Sequence, residues 1–157
     1  MFYIHKLYDH TLGWSTCFRQ PGADSHCKDP HGYPLAFGLR FGAMVLDANN
    51  WVLDFGGLKP IKERLADEFD HRTVLAATDP ALPDFQALYA KWGFRDILVL
   101  PTVGCEAFAQ HTYGVVDGWL HENYLHSIDA RGLHIKSVMV REHGGNAAIF
   151  EGGKFSV

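Results

Sequence analysis

The stretch Ser25-His26-Cys27-Lys28-Asp29-Pro30-His31-Gly32-Tyr33 places a thiol and an imidazole four residues apart across a turn that contains proline and glycine. An alternating apolar pattern follows at once and predicts a strand from residue 33 to about residue 45. Its apolar positions are Tyr33, Leu35, Phe37, Leu39 and Phe41. Reactive groups held at the mouth of a strand by a short turn favour a catalytic site over a packing role.

The bulk composition predicts one globular domain over residues 1–157. The chain is 47% hydrophobic and 20% charged, which suits a single core, and its formal net charge is −4. Since there is no basic cluster, nucleic acid is not expected as a partner. No apolar run approaches the roughly 20 residues that cross a bilayer, and the N-terminus lacks the pattern of a secretion signal. Neither a membrane nor an export route is therefore expected.

Cysteine and histidine usage indicates the compartment and leaves the chemistry open. Cys17, Cys27 and Cys105 form neither an even set nor a CxxC pair, so a disulfide framework is not expected. The chain is predicted to be cytoplasmic. Ten histidines keep both metal binding and acid–base chemistry open.

Hydrophobic periodicity outside the central strand predicts strands at both ends of the chain and helices between them. Residues 1–19 are predicted to form a hairpin or two short strands, and residues 97–100 a short buried strand. The predicted helices cover residues 58–70, 84–92 and 105–124. Two closing strands, 133–142 and 146–151, are joined by a short glycine-bearing link that fits a hairpin. This order predicts an α+β fold with helices on one face of an antiparallel sheet.

Several motifs occur in a recognisable order along the chain. They are Cys27-x-x-x-His31-Gly32, Trp14-Ser15-Thr16-Cys17-Phe18-Arg19, Trp51 to Lys59, Asp70-His71 with Leu75, Pro101-Thr102 followed by Glu106, and Val138 to Glu142. Together they resemble motifs of the 6-pyruvoyltetrahydropterin synthase and 6-carboxytetrahydropterin synthase family. The resemblance covers nearly the whole chain. Residues 76–100 form a longer segment than is usual in the family.

This resemblance implies the tunnelling fold, in which subunits assemble into a β-barrel ring, here a trimer or hexamer, with pterin sites at subunit interfaces. It also implies a carbon–oxygen lyase that converts 7,8-dihydroneopterin triphosphate to 6-carboxytetrahydropterin, on the route to 7-deazaguanines. Two alternatives stay open. One is 6-pyruvoyltetrahydropterin synthase activity, and the other is an assembly that binds a pterin or purine without catalysis.

The resemblance also implies a role for particular residues. Cys27 takes the place of the general base, and Asp70-His71 that of a proton relay. The pterin ring would be held by Glu142, assisted by Glu106 and Thr102. The simpler readings are a loop cysteine, a histidine at a helix C-terminus, and carboxylates at exposed element ends.

The metal position departs from the family pattern. The family uses three histidines, and the corresponding residues here are Phe18, His31 and Tyr33, so only His31 remains as a metal ligand. One histidine does not make the usual three-ligand zinc site, and an intact zinc site is not expected. The residues that remain to rebuild one beside His31 are His26, Cys17, His5 and His10. The cations available for a triphosphate are Arg19, Lys28, Lys59 and Arg40.

Overall fold

The computed structural model describes residues 1–153 and contains two four-stranded sheets. The first sheet is antiparallel throughout. Its strands are β1 (Phe2–Tyr8), β4 (Ala36–Ala43), β7 (His134–His143) and β8 (Asn146–Glu151), in the order β1-β4-β7-β8. β7 and β8 form the closing hairpin that the glycine-bearing link predicts. The predicted antiparallel sheet is therefore present.

The second sheet is mixed. Its strands are β2 (Ser15–Phe18), β3 (His31–Pro34), β5 (Arg72–Ala76) and β6 (Leu98–Leu100), in the order β3-β2-β5-β6. β2 pairs with β3 antiparallel, whereas the β2–β5 and β5–β6 pairs are parallel. β5 was not predicted from the sequence, because it follows the first helix without a proline or glycine to mark its start.

Three helices complete the fold: α1 (Lys59–Phe69), α2 (Leu82–Trp92) and α3 (Cys105–Arg131). α1 and α3 deliver aromatic side chains to the core over the antiparallel sheet. The ring centroid of Phe69 lies 4.9 Å from that of Phe37 and 5.5 Å from that of Phe108. All three helices were predicted, and the helix and strand of the long segment 76–100 are α2 and β6.

The tertiary fold decides between the two alternatives for residues 1–19 and corrects the strand predicted from residue 33, because backbone partners are settled by the tertiary fold. β1 pairs with β4 and β2 pairs with β3, so residues 1–19 form two short strands and not a hairpin. The strand predicted from residue 33 is interrupted at Leu35, and its two parts, β3 and β4, belong to different sheets.

The third helix is longer than predicted and is kinked. α3 continues past Tyr124, which has a non-helical backbone (φ −133°, ψ 24°), and ends at Arg131. The Arg131 guanidinium donates to the carbonyl oxygens of Val45, Trp51 and Val52 at distances of 3.2–3.4 Å. These contacts bind the loop that follows β4 to the end of α3.

None of the helices within residues 1–153 has the length and apolar character needed to cross a membrane.

Candidate functional site

Cys27 lies on a short 3₁₀ turn, His26–Lys28, whose start is capped by Ser25. The Cys27 amide donates to Ser25 Oγ at 3.3 Å, and the amide of Gln20 donates to the Cys27 carbonyl at 2.8 Å. The second bond fixes the turn against the chain just beyond the end of β2. Cys27 is half-buried and Lys28 beside it is exposed. This position leaves the thiol accessible on a held backbone.

A polar pocket of about 410 Å³ opens between the start of α3 and the β7–β8 hairpin. It brings together two of the three predicted pterin-binding residues, Glu106 and Glu142, although 36 positions separate them in the sequence. Gln20 lines the same pocket. Carboxylates accept pairs of hydrogen bonds from planar donor groups, so this pocket suits a ring with adjacent N–H groups.

Cys105 lines the pocket, whereas its sequence predicts only that it begins the third helix. Burial, followed by the negative charges of Glu142 and Glu106, raises the pKa of the Cys105 thiol to about 12. The thiol is therefore protonated at neutral pH and can donate to Glu142, which forms no salt bridge within residues 1–153. Asn146 Nδ2 donates weakly to the same carboxylate at 3.5 Å.

The glycine before Cys105 is required by the backbone. Gly104 caps the start of α3 with φ 116°, and a Cβ atom there would lie 2.8 Å from Nε2 of Gln20. A side chain at this position would therefore be strained and would push into the pocket wall. Glu106 follows in the first helical turn, where the helix dipole favours a negative charge.

Thr102 lies next to this pocket but lines a neighbouring one of about 350 Å³. Gln20 lines both pockets and forms their common wall. The structure thus places Thr102 near Glu106 and Glu142 without joining it to their pocket.

His31 and Tyr33 lie on β3 beside the Cys27 turn, on the same face as Phe18 of β2. The ring centroids of His31 and Phe18 are 4.6 Å apart, and those of His31 and Tyr33 are 5.7 Å apart. Tyr33 also contacts His143, 5.9 Å away, which follows Glu142 on β7. This aromatic cluster therefore reaches β7 at the residue after Glu142, although none of its members lines the carboxylate pocket.

The family's zinc ion does not fit the side chains present. Within residues 1–153 there is no group of three or more His, Cys, Asp or Glu side chains able to hold a metal ion. The residues considered as substitutes do not converge on His31: His10 Nε2 lies 3.4 Å from the carbonyl oxygen of Arg141, and Cys17 faces Thr73.

Asp70 and His71 lie at the opposite end of β2 from Cys27. Asp70 Oδ1 accepts from the Ser15 amide at 3.2 Å and lies 2.8 Å from His71 Nδ1. The predicted carboxylate–imidazole pair is thus formed, and its imidazole is 83% exposed. At about 3.3 Å per residue, the five steps along the chain from Ser15 to Gln20 span roughly 16 Å. Within one chain, therefore, this pair does not meet Cys27.

Three of the four cations considered for a triphosphate have other contacts. Arg19 pairs with buried Asp79 at 3.3 Å, and Lys59 with Glu63 at 3.7 Å. The guanidinium of Arg40 lies over the ring of Tyr3, 4.3 Å from its centroid. Lys28, next to Cys27, is the cation that best fits an anion at this site.

The family profile described as 6-pyruvoyl tetrahydropterin synthase matches residues 5–153. The chain belongs to this family. A 6-carboxy-5,6,7,8-tetrahydropterin synthase of Aquifex aeolicus is 26% identical over 123 residues, which cover 75% of each protein. Family membership and this relative confirm the predicted enzyme class, a lyase of the tetrahydropterin synthase type.

Solved structures share the fold at low sequence identity. An uncharacterized protein from Wolinella succinogenes superposes with a TM-score of 0.79 at 15% identity, covering 97% of this chain and 98% of its own. The 6-pyruvoyl tetrahydropterin synthase of Caenorhabditis elegans gives 0.61 at 14% identity, with 97% and 96% covered. That of Plasmodium falciparum gives 0.60 at 15%, with 94% and 96% covered. The predicted tunnelling fold is confirmed.

Proposed function

We propose that this family member converts 7,8-dihydroneopterin triphosphate to 6-carboxytetrahydropterin. The observation that carries the proposal is the pocket that joins Glu106 and Glu142 beside the Cys27 turn. A pterin presents an amino group and a ring N–H on one edge, and a carboxylate accepts both hydrogen bonds at once. Glu142 would hold that edge, with Glu106 assisting from the same pocket, whereas Thr102 lies in the neighbouring pocket on the other side of Gln20. The named relative from Aquifex supports the carboxy product over other outcomes.

Cys27 is the proposed base that removes a proton from the substrate side chain. Its thiol is half-buried and lies beside the Lys28 side chain, on a turn whose backbone is held by Ser25 and Gln20. Asp70 and His71 would then move the proton, because a carboxylate bonded to one ring nitrogen leaves the other free for proton transfer.

We further propose that the active site is shared between subunits of a trimer or hexamer. Asp70-His71 and Cys27 occupy opposite ends of β2 in one chain, so a site that needs both takes them from two chains. A ring of subunits supplies such pairs repeatedly. The unpaired cysteines favour a reducing compartment, which supports the cytoplasm.

The test is mass-spectrometric product analysis after incubation with 7,8-dihydroneopterin triphosphate. Wild type should form 6-carboxytetrahydropterin, and Cys27→Ala should lower the rate by about 10²-fold or more, the usual loss for a general base. Cys17→Ala is the matched control, since Cys17 is also half-buried but faces Thr73 on the neighbouring strand β5. This variant should keep the wild-type rate of product formation. A pyruvoyl product would replace the proposed reaction by 6-pyruvoyltetrahydropterin synthase activity.

A binding assembly without catalysis is the second candidate, and one observation favours it. The side chains at the family's metal positions do not form a ligand set within the described residues. Substrate that binds but returns unchanged, with wild type and Cys27→Ala behaving alike, would establish this candidate in place of the lyase.

A further inference from the structure

The three positions that correspond to the family's metal ligands keep their relative placement in this chain. Phe18 and His31 are direct cross-strand partners in β2 and β3, and Tyr33 lies two residues further along β3. Side chains at such positions point to the same face of a sheet. The backbone therefore still converges three side chains on one point, but two of them are no longer imidazoles.

Packing fills the first of these positions. Phe18 is 2% exposed, and its ring meets Phe108 of α3 edge-on at 5.2 Å as well as stacking on His31. A side chain in this contact belongs to the hydrophobic core, and the space beside His31 is occupied by an aromatic ring. A metal ion would need that ring to be removed.

The other two positions carry polar atoms that are free to meet a ligand. His31 Nδ1 lies 2.8 Å from the carbonyl oxygen of Asp29. Because a carbonyl oxygen only accepts, the proton is on Nδ1 and the lone pair is on Nε2. Within residues 1–153, His31 Nε2 and the Tyr33 hydroxyl make no hydrogen bond. One acceptor and one donor are thus held on neighbouring rings.

We propose that His31 and Tyr33 take the polar side chain of the ligand in place of a metal ion, and that this chain works without zinc. The ligand class, which rests on the proposed function, is a reduced pterin bearing a side chain with adjacent hydroxyl groups. Nε2 of His31 accepts a hydrogen bond from one hydroxyl, and the Tyr33 hydroxyl donates to the next oxygen. The centroids of the two rings are 5.7 Å apart, so a ligand side chain of two or three carbon atoms can contact both.

The cluster lies where a pterin side chain would leave the carboxylate pocket. Tyr33 contacts His143, the residue after Glu142, and Phe18 contacts Phe108, one helical turn after Cys105. The proposal places the side chain of a ring bound by Glu142 and Glu106 toward this cluster, whose residues lie outside the pocket lining. Cys27, four residues before His31, lies at the same end of β2.

Zinc titration tests the metal half of the proposal without an activity assay. After chelator dialysis and return of zinc, wild type should retain well below about 0.2 zinc per chain, whereas the F18H/Y33H double variant should retain about one. Adding His31→Ala to the double variant should abolish that binding. Zinc bound stoichiometrically by wild type, and lost in His31→Ala, would overturn the proposal.

Because Phe18 is a core residue, the double variant must be checked by its circular dichroism melt. If it does not fold, the Tyr33→His single variant replaces it, since Tyr33 is only half-buried. It should bind zinc about tenfold more tightly than wild type, by pairing two imidazoles. Equal zinc affinity in wild type and Tyr33→His would contradict the placement of these side chains.

Ligand titration tests whether His31 and Tyr33 bind the ligand side chain, with 7,8-dihydroneopterin and a 6-methyl-dihydropterin as probes. Tyr33→Phe and His31→Ala should each weaken dihydroneopterin binding by about 3- to 10-fold, the usual effect of one hydrogen bond, and leave the methyl analogue unchanged. Equal effects on both probes, or none, would overturn the role of this pair while the proposed function stands. If wild type binds neither probe, both proposals fail together, and the zinc titration still decides the metal question.

Discussion

At the scale of single residues, His71 has the least favourable backbone among the predicted catalytic groups. Its φ of 51° lies in the left-handed region, where a side chain with a Cβ atom costs about 1–2 kcal/mol. The Asp70 carboxylate, itself held by the Ser15 amide, bonds to the imidazole and keeps it there. Strain of this kind persists where the surroundings enforce it, often at functional sites.

Replacing His71 separates strain from catalysis. His71→Gly should unfold with a free energy about 1 kcal/mol higher than His71→Ala, because alanine keeps the left-handed penalty and glycine does not. Both variants should lose about 10²-fold or more in product formation if His71 carries the proton. Denaturant unfolding and product analysis measure the two effects. Equal stabilities would argue against strain at this position, and an active variant would remove His71 from the mechanism.

Cys105 and Cys27 should differ sharply in thiol reactivity. The pKa of Cys105 is raised to about 12 by burial and by Glu142 and Glu106, so its thiolate is scarce below that pH. Iodoacetamide at pH 8 should therefore modify half-buried Cys27 well before Cys105, as mapped by peptide mass spectrometry. In urea, where the environment of Cys105 is lost, both should react alike. Early modification of Cys105 in the folded protein would contradict a protonated thiol beside Glu142.

At the scale of elements, a buried carboxylate connects α1 to α3. Glu68 Oε2 lies 2.8 Å from His111 Nε2, and Glu68 Oε1 accepts from Arg64 Nε at 2.6 Å. Burial by itself raises the pKa of Glu68, but the hydrogen bonds and charges of His111 and Arg64 together outweigh it and leave the pKa lowered. A lowered pKa means that this cluster stabilises the fold above the unfolded value of 4.5 and loses its effect as the pH falls below it.

Glu68→Gln should lower the free energy of unfolding at pH 7 by about 1–3 kcal/mol, since it removes the charge that strengthens the hydrogen bonds which the buried Glu68 side chain accepts from His111 and Arg64. The deficit should shrink as the pH falls from 5 toward 3, because wild type then loses the same charge. Glu63→Gln is the matched control on the same helix: its pair with Lys59 is exposed, so the change should be about 0.5 kcal/mol or less. A pH-independent deficit in Glu68→Gln would assign its effect to packing.

The elements that sequence could predict are those defined by local patterns. The apolar residues at helical spacing in α1 and the glycine-bearing link between β7 and β8 are patterns that lie within a few residues of sequence. The helix and the hairpin that they predict are both present. β5 is different: its five residues pair in parallel with β2 and β6, which lie far away in the sequence. No local period distinguishes such a buried strand from the end of a helix.

The candidate site likewise contains residues that sequence motifs predict and residues that only the tertiary fold contributes. Motifs identified Cys27, Glu106 and Glu142, and the fold brings the two carboxylates into one pocket. The contributions of Gln20 and Cys105 arise from tertiary contacts, since neither belongs to a matched motif position with a role. The ring contact of Tyr33 with His143 joins two sheets and could not be read from the spacing of either residue.

At the scale of the whole molecule, the antiparallel sheet exposes an apolar side chain on each of its two edge strands, at the two ends of one cross-strand row whose middle residues are buried or half-buried. Leu7, Gly38, Met139 and Ile149 are successive cross-strand partners from β1 to β8. Leu7 is 47% exposed and Ile149 is 63% exposed. β1 and β8 are also edge strands, whose free backbone groups favour pairing with another chain. These features support the proposed ring.

Shared sites predict complementation between two inactive variants. Cys27→Ala and His71→Ala, co-expressed with different tags and purified through both, should recover up to about one quarter of wild-type activity per site. A functional site then takes its cysteine from a His71→Ala chain and its histidine from a Cys27→Ala chain. When the two kinds of chain mix at random, each of these two choices has a probability of about one half, so both occur together at about one quarter of the sites. Each variant purified alone should stay inactive.

The matched control is wild type co-expressed with a chain carrying both substitutions. If one site uses two chains, only about one quarter of the sites draw both residues from wild-type subunits; if each site lies within one chain, about half are intact. For a shared site, the two mixtures should therefore have equal activity. For a site within one chain, the mixture that contains wild type should keep about half of the activity, and the mixture of single variants should have none. An inactive single-variant mixture with a half-active control would place Cys27 and His71 in the same subunit, which the separation along β2 argues against.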